Sequence, residues 1–79
     1  MELKQMAEKI NEALKAKGYK PEEARANAWT KEIKPGQIVE RIYLNGKKAA
    51  GYVHLADGAW KREGINFSLL HQIVGEAIQ

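Results

Sequence analysis

Residues 29–42 read WTKEIKPGQIVERI, and whether they form two strands or continue a helix decides the fold. Pro21-Glu22-Glu23, just upstream, looks like a helix start, since proline fits a first turn and acidic side chains suit its positive end. Pro35-Gly36 argues for strands instead. With those two residues as a turn, Ile33 meets Ile38, Lys31 meets Glu40 and Trp29 meets Ile42. An apolar pair, an opposite-charge pair and an aromatic–β-branched pair then share a single register, and such pairs are the units of sheet stability. The stretch predicts a strand over about 26–34, following one helical turn at 21–24, and a second strand after the turn.

Two further turn signals extend the sheet. Asn45-Gly46 is the strongest short hairpin signal and sets Ile42 beside Ala49 and Ile38 beside Val53. Asp57-Gly58 sets Leu55 beside Trp60 and His54 beside Lys61. The expected sheet is a four-stranded antiparallel meander. One face would carry Trp29, Ile33, Ile38, Ile42, Leu44, Ala49, Val53, Leu55 and Trp60. Lys31 and Glu40 would point toward that apolar face as an ion pair near its rim. The opposite face would show Arg41, Tyr43, Lys48, Tyr52, His54 and Lys61, with Glu32 and Glu63 among them.

Helices flank the meander. Leu3, Met6, Ala7, Ile10, Ala13 and Leu14 repeat at helical spacing, predicting a helix over 2–17 that stops at Gly18, with Tyr19 folding back on Leu14. Near the end of the sequence, Asn66 suits an N-cap and Ile65 with Leu70 a hydrophobic staple. Phe67, Leu69, Leu70, Ile73, Val74, Ala77 and Ile78 give the second helix a wide apolar surface. Gly75 interrupts it at a cost of about 1 kcal/mol, which suits a close approach there. The expected fold class is α+β in the order α-β-β-β-β-α, one domain over 1–79, with both helices on the apolar sheet face.

Composition narrows the function classes. A chain of 79 residues holds one small domain. It has no cysteine, and no apolar run nears the roughly 20 residues that span a bilayer. MELKQMAEKI is charged and lacks a secretory apolar region, which points to a soluble cytoplasmic protein. Residues 25–64 carry eight of the Lys and Arg side chains against four carboxylates, so the net charge of +3 is concentrated in the sheet.

No motif for catalysis stands out. His54 and His71 lie on different elements without metal-ligand spacing, and no serine or cysteine is placed to form a triad. Gly46-Lys47-Lys48 lacks the glycine spacing and following helix of a phosphate loop. The expectation is a non-enzymatic binding module with no cofactor, metal, membrane or small-molecule substrate. Aromatic rings on an open sheet flanked by cations stack bases and hold phosphates. Arg41, Tyr43, Lys48, Tyr52 and Lys61 are therefore candidates for nucleic-acid binding. Antiparallel sheets also solvate one face routinely. The alternative is a regulatory or inhibitory protein-binding domain, or a homodimer. It would use Phe67, Leu69, Ile73 and Ile78 on the second helix, or an edge strand. The element order resembles the α-β-β-β-α outline of double-stranded-RNA-binding domains. INFSLLHQ at the start of the last helix lacks their lysines, so the resemblance stops at topology.

Overall fold

A computed structural model describes residues 2–79. The elements are α1 (Leu3–Ala16), β1 (Arg25–Lys34), β2 (Gln37–Asn45), β3 (Tyr52–Ala56), β4 (Ala59–Glu63) and α2 (Ser68–Ala77). The strands form one antiparallel sheet in the order β1-β2-β3-β4. The α-β-β-β-β-α architecture of the α+β class is as expected, and both helices pack into the same core cluster.

Local chemistry sets the helix ends. Glu2 and Gln5 form a reciprocal capping box at the start of α1. At its end, Gly18 and Tyr19 donate backbone bonds to Lys15 and Leu14 at 3.0 and 3.1 Å, and Tyr19 packs on the core. The Pro21 segment is a turn, closed by the Glu23 and Ala24 N–H groups on the Lys20 carbonyl at 2.9 and 3.1 Å. Phe67, not Asn66, is the N-cap of α2, and its side chain makes no capping bond.

The first hairpin departs from the expected register. Lys34 pairs with Gln37 across the Pro35-Gly36 turn, but Glu32 pairs with Ile38 and Ile33 has no partner. This β-bulge shifts the rest of β1 by one residue: Thr30 meets Glu40, Trp29 meets Arg41 and Ala28 meets Ile42. A one-residue slip moves every side chain to the other face. Trp29 and Lys31 therefore lie on the helix-free face, and Glu32 leaves it, because each shares a face with its partner.

The reason lies in α1. Met6, Ala7, Ile10 and Leu14 are buried together with Ala24 and Ala26. The Asn11 amide donates to the Ala26 carbonyl at 2.9 Å and accepts the Ala26 N–H at 2.7 Å. A helix this close needs small residues beneath it, and Ala24 and Ala26 supply them at alternate positions, with Ala28 exposed just beyond. The unbulged register would place Arg25, Asn27 and Trp29 there instead. Burying a helix face outweighs the single unpaired strand residue.

The second hairpin is also longer than the Asn45-Gly46 signal implies. Ile42 pairs with Val53 and Tyr43 with Tyr52, so residues 46–51 form a loop rather than a two-residue turn. Its backbone bonds to the 22–23 segment, with Lys47 and Lys48 N–H groups on the Glu22 and Glu23 carbonyls at 3.1 and 2.8 Å. Ala49 sits in this loop, partly buried against the core. The β3–β4 hairpin has the expected pairs, Leu55 with Trp60 and His54 with Lys61.

Ile42, Val53, Leu70 and Val74 are fully enclosed, and Ile65, Ile73 and Ala77 complete the α2 side of the core. Gly75 does accommodate a close approach: the Arg62 guanidinium packs against it and donates to the His71 carbonyl at 2.7 Å. Ile33, Ile38 and Leu55, expected in the core, are exposed. Ile38 and Leu55 share the helix side with Ile42 and Val53, but the helices do not reach them.

Candidate nucleic-acid interface

Alternation along four strands builds the helix-free face. Asn27, Trp29 and Lys31 come from β1, Val39, Arg41 and Tyr43 from β2, Tyr52 and His54 from β3, and Lys61 and Glu63 from β4. The pairings leave Tyr43 beside Tyr52 and one pleat from Trp29, so the rings touch in series. Trp29 and Tyr43 meet edge to face with centroids 5.7 Å apart, Tyr43 and Tyr52 at 5.8 Å, and Tyr52 and His54 at 5.5 Å. The row crosses three strands. Trp29, 38 % exposed, ends it at the sheet edge.

Arg41 is held within the row. Its guanidinium lies 4.5 Å over the Tyr52 ring centre, and Nη1 donates to the Tyr43 hydroxyl at 3.1 Å. That hydrogen bond is the main reason its already high pKa is raised further. The charge stays in place while the plane is stacked, a geometry arginine suits and lysine does not. At the far side His54 Nε2 lies 3.2 Å from Glu63 Oε1.

Of the sequence candidates, Arg41, Tyr43, Tyr52 and Lys61 share this face, and Lys48 does not. Lys48 Nζ pairs with Glu23 Oε2 at 2.8 Å, an ion pair that tethers the 46–51 loop to the segment before β1. The hydrogen bond to Lys48 holds the Glu23 carboxyl below its usual range and raises the Lys48 ammonium in return. Trp29 and Lys31 are the residues that sequence reasoning missed. The signal is the alternation of Ala24, Ala26 and Ala28 with Arg25, Asn27 and Trp29, of which Ala24 and Ala26 are buried under the helix.

The alternative surface divides. On α2, Ile73 is 2 % exposed and Ile78 half-buried, both against the core, while Phe67 and Leu69 are exposed at 48 and 54 %. Among the described residues no cluster of His, Cys, Asp and Glu could hold a metal ion, and no helix is long and apolar enough to cross a membrane. Neither protein families nor curated proteins nor solved structures provide a match to the chain.

Proposed function

We propose that this chain is a small non-catalytic module that binds single-stranded nucleic acid on its helix-free sheet face. The observation that carries the reading is the unbroken Trp29–Tyr43–Tyr52–His54 row with Lys31, Arg41 and Lys61 on the same face. Base–aromatic stacking contributes about 1–3 kcal/mol per base and tolerates any sequence, because every base has a π face. The three fixed cations supply phosphate contacts; Glu63 opposes them on that face, and the Asp57 carboxylate lies 3.9 Å from Lys61 Nζ. The bulge strengthens the case, since it brings Trp29 and Lys31 onto the face and takes Glu32 off it.

The test is fluorescence anisotropy with labelled single-stranded oligonucleotides, DNA and RNA, at low and high salt. Wild type should bind at micromolar concentrations, with log affinity falling by about 0.7 per phosphate contact for each decade of salt. Trp29→Ala with Tyr52→Ala should weaken binding at least about tenfold, the loss of one stacked base. Lys31→Gln with Lys61→Gln should flatten the salt slope. Lys48→Ala, which changes a cation off this face, should leave affinity near wild type. No binding at low salt, or equal binding by the aromatic double variant, would remove the proposal.

A further inference from the structure

The helix side of the sheet is only half covered. The start of α1 lines a groove with Thr30 and Glu40, and Ile78, just after α2, lines another with Trp60. Past these helix ends β1 and β2 continue to Glu32 and Ile38, and among the described residues no helix covers them. The uncovered part of this face presents Ile38, Leu55 and the half-buried Trp60, with Ile38 and Leu55 exposed at 61 and 57 %. It is a sheet face where the helical layer stops short.

Along β1 and β2 charge divides between the two sides, while β4 brings one cation to the helix side, Arg62, which pairs with Val53 and donates to the His71 carbonyl. On the helix side, Glu32 pairs with Ile38, and Glu40 pairs with Thr30. On the reverse side the same strands carry Lys31 and Arg41, and β4 adds Lys61. Lys4 also lines the groove beside Glu40, but with Glu2 and Glu8, so the balance stays acidic. An acidic shelf repels nucleic acid, so the polyanion reading of the other face does not extend to it.

We infer that this shelf docks an amphipathic helix of a partner protein, one whose apolar stripe is flanked by Lys and Arg. A helix is the element that already covers the adjoining half, and an apolar stripe facing a sheet is the standard two-layer arrangement. Charge complementarity sets the basic flanks. A second copy fits less well. Shelf against shelf would bring Glu32 and Glu40 of two chains together, and shelf against the cationic face would make an open-ended, head-to-tail assembly.

The experiment titrates the 15N-labelled full chain with a synthetic Leu/Lys amphipathic peptide of about 18 residues, roughly five helical turns. A Leu/Glu peptide of equal length is the control. The whole chain has a net charge of +3, so non-specific attraction favours the acidic peptide. Preference for the basic one therefore reads the local field. The expected result is saturable shifts at Ile38, Glu40, Leu55 and the Trp60 indole with the basic peptide alone. Affinity should fall at least about tenfold in Glu32→Lys with Glu40→Lys. Ile38→Ser, which keeps both charges, should also weaken binding and so separates docking from simple attraction. Equal binding of both peptides, shifts centred elsewhere, or unchanged affinity in either variant would overturn the inference. So would sedimentation showing a dimer that Ile38→Ser dissociates.

Discussion

The half of the sheet beneath the helices and the half beyond them share β1 and β2 but are held in different ways. Under the helices, Ile42 and Val53 have no exposed surface, and Asn11 completes the outer edge of β1 at Ala26. Beyond them the hairpin stands on cross-strand pairs alone, with Ile33 and Ile38 in solvent. Strand pairing runs through both halves of β1 and β2, broken only at the Ile33 bulge, and apolar burial separates the halves more sharply. A strand pair without a layer above it contributes little to global stability, and its surface is available for binding.

The largest effect expected from this contrast is at Ile42. Ile42→Ala should cost about 2–5 kcal/mol by urea unfolding, whereas Ile38→Ala should stay within about 0.5 kcal/mol. Comparable losses at the two sites would mean that the outer half is packed as tightly as the inner.

Next come the two turns. Gly46 has φ 140°, and a Cβ there would collide with the Glu23 carbonyl. Gly46→Ala should therefore cost about 3 kcal/mol. Gly36, with φ 83° and open space around it, should cost about 1–2 kcal/mol when replaced by Ala. Equal midpoint shifts would show that the loop under the helices is no more constrained than the exposed tip.

The smallest effect lies in the Glu23–Lys48 pair, which belongs to the inner half alone. Glu23 has a lowered pKa, so its contribution is complete above the ordinary value of 4.5 and is lost as pH falls through the lower folded value. Lys48 has a raised pKa, so its contribution is complete below the ordinary 10.5 and is lost as pH rises through the higher folded value. Between these limits Glu23→Gln should lower Tm slightly, less than any change above. The difference from wild type should close in acid. A gap that persists there would assign the effect to packing.

Element order was legible in the sequence because turns and amphipathic stripes are local signals. Register was only partly so. The β3–β4 pairs follow from Asp57-Gly58 directly, since two residues leave no room for alternatives. At Asn45-Gly46 the glycine serves a tertiary approach to Glu23 rather than a tight turn, and no local pattern announces that. In β1 the cross-strand pairs Trp29–Ile42 and Lys31–Glu40 made chemical sense but would have set Arg25, Asn27 and Trp29 under α1. That register hides Trp29 and Lys31 from the candidate site, whereas Lys48 is displaced by the longer 46–51 loop. Arg41, Tyr43, Tyr52 and Lys61 did not depend on the position of the bulge.

The unpaired Ile33 gives the arm a frame for insertions and deletions. Removing Ile33 leaves Lys34 opposite Gln37 and Glu32 opposite Ile38, so every side chain of β1 keeps its side. Removing Thr30 or Lys31 carries Trp29 to the helix side only if α1 gives up its bond to Ala26; if that bond holds, the deletion absorbs the bulge and the residues between it and Lys34 change sides instead. A lineage of such chains can shorten the hairpin at the bulge and keep both surfaces, whereas a loss two or three residues earlier changes the side of part of β1.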